Sequence, residues 1–70
     1  MKDEKSKLTP RELQVVALIG ADLKYKEIAK QLGLGYETVK TYAARIRKKL
    51  NVSSKVAVAL WAHQQRLIKK

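Results

Sequence analysis

Apolar residues recur along this chain at helical rather than strand spacing, in four blocks separated by turn chemistry. Val15, Val16, Leu18 and Ile19 mark the first block, and Ile28, Ala29 and Leu32 the second. Val39, Ala43, Ile46 and Leu50 mark the third, and Val56, Val58, Ala59, Leu60, Ala62 and Leu67 lie in the fourth. Each block has a start or stop signal. Thr9 is placed as an N-cap, with Pro10 at the first helical position and Glu12 completing a capping box. Leu8 and Leu13 stand where a hydrophobic staple would fix the entry of the chain. Gly33 falls where a left-handed C-cap belongs, Leu34 plugs the turn, and Gly35 can serve as an N-cap. Asn51 and Val52 close the third block, and Ser53 or Ser54 caps the fourth. The pattern predicts helices at about 10–20, 25–32, 36–50 and 54–67 and no strand. The expected fold is an all-α, compact four-helix domain over residues 8–70, preceded by a flexible charged arm at 1–7 without periodicity.

The second and third predicted helices are joined only by Gly33-Leu34-Gly35, the geometry of a helix-turn-helix unit. At about 100° per residue, Val39, Ala43, Ile46 and Leu50 fall within about 60° of arc, the stripe that must face the core. Glu37, Thr41, Ala44 and Lys48 then point the opposite way. Lys40 and Arg47 flank that face on one edge, and Thr38, Tyr42, Arg45 and Lys49 on the other.

Charge changes the picture further. The chain of 70 residues carries 16 Lys or Arg against 6 Asp or Glu, a formal net charge of +10. All six acids lie at or before Glu37, beside seven of the basic residues; the remaining nine basic residues follow with no acid among them. A field so segregated draws a polyanion, whereas solubility alone requires no segregation. Lys40, Thr41 and Ala44 are therefore the residues expected to meet base edges in a major groove, by donation to guanine, by a hydroxyl bond, and by contact with a thymine methyl. Glu37 has two readings of equal weight: an acceptor for a cytosine amine, or an acid favoured by the helix N-terminus. Arg45, Arg47, Lys48 and Lys49 are expected on phosphates. Tyr36, Thr38 and Tyr42 would add hydroxyl bonds, and Lys26 would reach the strand that the second helix crosses.

The fourth block has more apolar positions than one core needs. Val58, Ala59 and Ala62 can face inward, which leaves Val56, Leu60 and Leu67, with His63 among them, as a second stripe suited to a partner. Trp61 lies between the stripes, either core or interface.

Other chemistries are poorly supplied. One histidine, no cysteine and six scattered carboxylates offer no constellation for acid–base, nucleophilic or metal chemistry, so neither an enzyme nor a metal or other cofactor is expected. Gly33-Leu34-Gly35 is too short to cradle a phosphate and lacks a preceding strand. The unbroken apolar runs fall far short of the ~20 residues that span a bilayer, and a cytoplasmic location follows by default.

With these positions in view, the chain resembles the LuxR/GerE-type DNA-binding domain, especially the output domain of NarL-type response regulators. The residues that carry the resemblance are Leu-Thr-Pro-Arg-Glu (8–12), Lys-Glu-Ile-Ala (26–29) with Leu32-Gly33, Thr-Val-Lys (38–40), Arg-Lys-Lys-Leu-Asn-Val (47–52) and Ala-Leu-Trp-Ala-His-Gln-Gln-Arg (59–66). It implies a third helix in the major groove, with Lys40, Thr41 and Ala44 at bases, and a fourth helix pairing two copies on a two-fold symmetric double-stranded site. The chain departs from the family pattern at Lys24-Tyr25, where a hydroxyl or Asn-type cap is usual, and at Tyr42, where histidine is frequent. Two rival functions stay open at this stage. One is a sigma-factor-like promoter-recognition module acting with RNA polymerase, whose domains share the Leu-Thr-Pro-Arg-Glu opening. The other is a peripheral membrane protein that uses the basic C-terminal part.

Overall fold

The computed structural model describes residues 8–65, which form α1 (Pro10–Gly20), α2 (Tyr25–Leu32), α3 (Tyr36–Leu50) and α4 (Lys55–Gln64). The arm expected at 1–7 and Leu67, expected on the pairing stripe, lie outside the described residues.

Each boundary follows from a local bond. Thr9 Oγ1 accepts from the Glu12 N–H at 3.1 Å, and Glu12 Oε1 accepts from the Thr9 N–H at 2.9 Å, so the capping box is complete. Leu8, 7% exposed, is held in the core just outside it. The end of α1 is less obvious from sequence. Gly20 closes the helix and is buried, while the left-handed residue is Asp22 (φ 69°), a type whose short polar side chain tolerates that region. The Asp22 and Leu23 N–H groups then donate to the carbonyls of Ile19 and Leu18.

Lys24 is the N-cap of α2, and an ammonium has no lone pair with which to accept a backbone N–H. The cap is therefore one-sided: Glu27 Oε1 accepts from the Lys24 N–H at 2.7 Å. Gly33 (φ 68°) ends α2 in the left-handed region, and the Leu34 N–H reaches back to the Ala29 carbonyl at 2.8 Å. Asn51 (φ 58°) repeats that device at the end of α3, with the Val52 N–H on the Arg47 carbonyl at 2.9 Å. Ser54, rather than Ser53, caps α4, its Oγ accepting from the Ala57 N–H at 3.1 Å.

The bounds of α1, α2 and α3 are those expected from the pattern. Helix α4 was expected over about 54–67, but it starts one residue later because Ser54 is the cap, and it ends at Gln64. Gln65 is a turn residue whose N–H still reaches the Trp61 carbonyl, and positions 66 and 67 lie outside the described residues.

Helix α1 packs against all three others and most extensively against α4; α3 also rests on α2 and α4. Val15, Val16, Ile19, Ile28, Val39, Ile46 and Val58 are fully enclosed at their meeting. Burying each such side chain contributes about 1.5–3 kcal/mol, the main source of stability in a domain this small. Leu18 and Leu32, expected inside, are half-buried and pack on the edge of this core, as do Tyr25, Tyr42 and Trp61.

Candidate nucleic-acid interface

The two sides of α3 separate cleanly. Val39, Ala43, Ile46 and Leu50 are buried at 0%, 1%, 0% and 8% exposure, which anchors the helix in the bundle. That anchoring forces Tyr36, Glu37, Thr38, Lys40, Thr41, Ala44, Arg45 and Lys48 outward, and all eight are exposed. All four residues expected at base edges thus share one open face. Lys26 is also exposed, on α2, the first helix of the unit.

Several of these side chains are already engaged with one another. The Lys40 ammonium lies 3.9 Å from Glu37 Oε1 and 5.4 Å from the centre of the Tyr36 ring. The Thr41 hydroxyl donates to the Glu37 carbonyl at 3.1 Å, one turn back. Arg45 and Lys48 are exposed with no ion pair among the described residues.

Three residues expected on phosphates also have partners within the domain. Lys49 donates to Glu12 Oε1 at 2.7 Å, tying the last turn of α3 to the first turn of α1. Arg47 donates from Nη1 to the Tyr25 hydroxyl at 3.3 Å and is half-buried. Tyr42 is half-buried against the core. The physical reason is common to all three: each lies at the border of the buried stripe, where a long side chain finds a neighbouring helix before it finds solvent.

Glu12 is the most enclosed charge among the described residues, at 2% exposure. Burial by itself raises its pKa. The hydrogen bond from Lys49, the two bonds with Thr9 and the charge of Lys49 outweigh burial, and the net shift is downward. Its carboxylate is thereby kept ionised as a joint between α1 and α3.

Sequence reasoning missed Tyr25 and Lys55. The Tyr25 ring, at the first position of α2, carries the Lys55 ammonium 4.8 Å from its centre while its hydroxyl holds Arg47. The unusual Lys24-Tyr25 start was visible as a weak cap, but partners twenty-two and thirty positions away were not.

On α4, Val56 and Leu60 are 76% and 58% exposed, as expected of a second apolar stripe, with Val58 and Ala62 inward. His63 does not simply join that stripe. Its Nε2 lies 2.8 Å from the Gly20 carbonyl, which can only accept, so Nε2 carries the proton and the ring ties α4 to the end of α1.

A short helix and a fifteen-residue helix, joined by a tight left-handed turn and with the second presenting a basic, hydroxylated face, define a helix-turn-helix DNA-binding domain. The chain belongs to the luxR family of bacterial regulatory proteins: the family model GerE, "Bacterial regulatory proteins, luxR family", matches residues 6–62. It is 39% identical over 62 residues to the nitrate/nitrite response regulator protein NarL of Escherichia coli (strain K12), covering 89% of this chain and 29% of that protein. It is 39% identical over 61 residues to the transcriptional regulatory protein LiaR of Bacillus subtilis (strain 168), covering 87% of this chain and 29% of that protein. Against the nitrate/nitrite response regulator protein NarP of Escherichia coli (strain K12), identity is 40% over 65 residues, covering 93% and 30%. The chain thus spans less than a third of the length of these curated relatives. Among the described residues, no helix is long and apolar enough to cross a membrane.

Proposed function

We propose that this domain binds a specific double-stranded DNA sequence and regulates transcription, with α3 in the major groove and two copies on a two-fold symmetric site. Glu37, Lys40, Thr41 and Ala44 meet base edges. Lys26, Tyr36, Thr38, Arg45 and Lys48 hold the sugar–phosphate backbone and set register. The observation that carries this is the partition of α3: a buried apolar stripe opposite an open face with six exposed basic or hydroxylated residues, Tyr36, Thr38, Lys40, Thr41, Arg45 and Lys48. Relatives named as response regulators and transcriptional regulatory proteins support the regulatory role. Pairing through α4 is supported by Val56 and Leu60, two large apolar residues left in solvent on one helix. That pair also favours a self-associating regulator over a polymerase-bound promoter module. The cellular setting is the bacterial cytoplasm, where a DNA target lies.

Selection of binding sites from a pool of random duplexes, run at two salt concentrations, tests the division of labour. Lys40→Ala and Thr41→Ala should change which sequences are recovered. Lys48→Ala should weaken all sequences alike and reduce the dependence on log salt by about one unit. Equal losses on every sequence for all three variants would remove the base-reading role. A single copy per selected duplex, together with copurification with RNA polymerase, would favour the promoter module instead.

A further inference from the structure

The two side chains best placed to reach bases, Lys40 and Thr41, both lean on one residue. Glu37 takes the Lys40 ammonium on its carboxylate at 3.9 Å and the Thr41 hydroxyl on its carbonyl at 3.1 Å. Its side chain is 84% exposed, and it is the sole acid on α3, on the same open face as Lys40. So exposed a pair holds its members only weakly, and structural support for α3 does not explain the placement. An acid on the first turn suits the helix N-terminus, but a groove-facing carboxylate opposes every phosphate the domain approaches.

We propose that Glu37 and Lys40 act together as a donor–acceptor couple that demands a G·C pair, with Lys40 donating to guanine O6 or N7 and Glu37 accepting from the cytosine N4 amine. This requires α3 in the major groove, as proposed above. A G·C pair shows two acceptors and one amine donor side by side on that edge. Residues three apart on a helix present one donor and one acceptor as neighbours, matching it. When Lys40 leaves Glu37 for guanine, the cytosine amine takes its place, so neither charge is left without a partner. On A·T the amine belongs to adenine and lies beside the N7 acceptor, which repels a carboxylate; the cytosine amine has no such neighbour on its open side. Glu37 is therefore a specificity-determining residue that acts by exclusion as much as by attraction.

Site selection from random duplexes with wild type, Glu37→Gln and Lys40→Ala reads this directly, with titration of one unrelated duplex alongside. Wild type should recover a cytosine at one fixed position in each half-site. Glu37→Gln should lose about tenfold of that preference and turn toward adenine, to which an amide can bond bidentately, while other positions stay as they were. Its affinity for the unrelated duplex should rise, by up to about fivefold. Lys40→Ala should lose the guanine of the same pair. Recovery of the same base at every position by Glu37→Gln overturns the couple even if overall affinity changes. If wild type recovers no preferred sequence, the major-groove orientation itself is wrong and this inference falls with it. Thermal unfolding of Glu37→Gln within about 2 °C of wild type separates loss of reading from loss of fold.

Discussion

Replacing Glu12 with alanine removes two interactions at once, and their sum is large for a chain of this length. The carboxylate accepts from the Thr9 N–H at 2.9 Å and from Lys49 at 2.7 Å, and it is 2% exposed. Loss of the capping half of the box costs about 1 kcal/mol. The charge-assisted bond to Lys49 is worth about 1.5–3 kcal/mol where it is enclosed, and the lower figure applies because the Lys49 side chain is 35% exposed and water screens it. Glu12→Ala should therefore destabilise by about 2.5–3 kcal/mol. Total stability for a domain of this size is roughly 4–10 kcal/mol, and the melting temperature should fall by about 10–20 °C. Glu12→Gln keeps an acceptor for Thr9 and removes only the charge, so about half that loss is expected. Urea and thermal unfolding followed by far-ultraviolet circular dichroism measure both.

The same residue makes a pH prediction whose sign is fixed. Its pKa is lowered in the folded state, so the unfolded chain takes up the proton first on acidification. The stabilisation is present above the ordinary carboxylate range and is lost as pH falls through roughly 4 and below. Wild type should lose its advantage over Glu12→Gln across that interval and keep it from about pH 5 to 8. Parallel pH profiles for the two proteins, or a loss below about 1 kcal/mol for Glu12→Ala at neutral pH, would refute the assignment of Glu12 as the joint between α1 and α3.

Further outcomes follow from the turns and from α4. Gly33→Ala should cost about 1 kcal/mol in urea unfolding from its left-handed backbone alone, since an added Cβ meets nothing within 4 Å. Gly35→Ser should raise the melting temperature by about 2 °C, because the position is an extended N-cap with no side-chain acceptor at present and Thr38 Oγ1, 3.8 Å away, leaves room for a Cβ. Leu60→Glu should leave the domain's unfolding within about 0.5 kcal/mol of wild type, since the residue is 58% exposed. The same change should convert two-copy complexes on a symmetric duplex to one-copy complexes in gel-shift stoichiometry; unchanged stoichiometry would take the apolar stripe out of the pairing surface.

Much of this domain is local in origin and was legible in the chain. Thr9, Pro10 and Glu12 start α1, Gly33 and Asn51 end α2 and α3, and Ser54 starts α4, because each acts through bonds to residues within a turn or two. The spacing of Val39, Ala43, Ile46 and Leu50 decided which side of α3 is buried, and so which residues lie on its open face. Only the tertiary structure decided the fate of side chains at the border of that stripe. Lys49 meets Glu12 from thirty-seven positions away, Arg47 meets Tyr25 from twenty-two, and His63 meets the Gly20 carbonyl from forty-three. Periodicity gives the direction of a side chain about its own helix axis. Whether another helix stands in that direction depends on crossing angles and offsets, and those are set by the packing of the whole core.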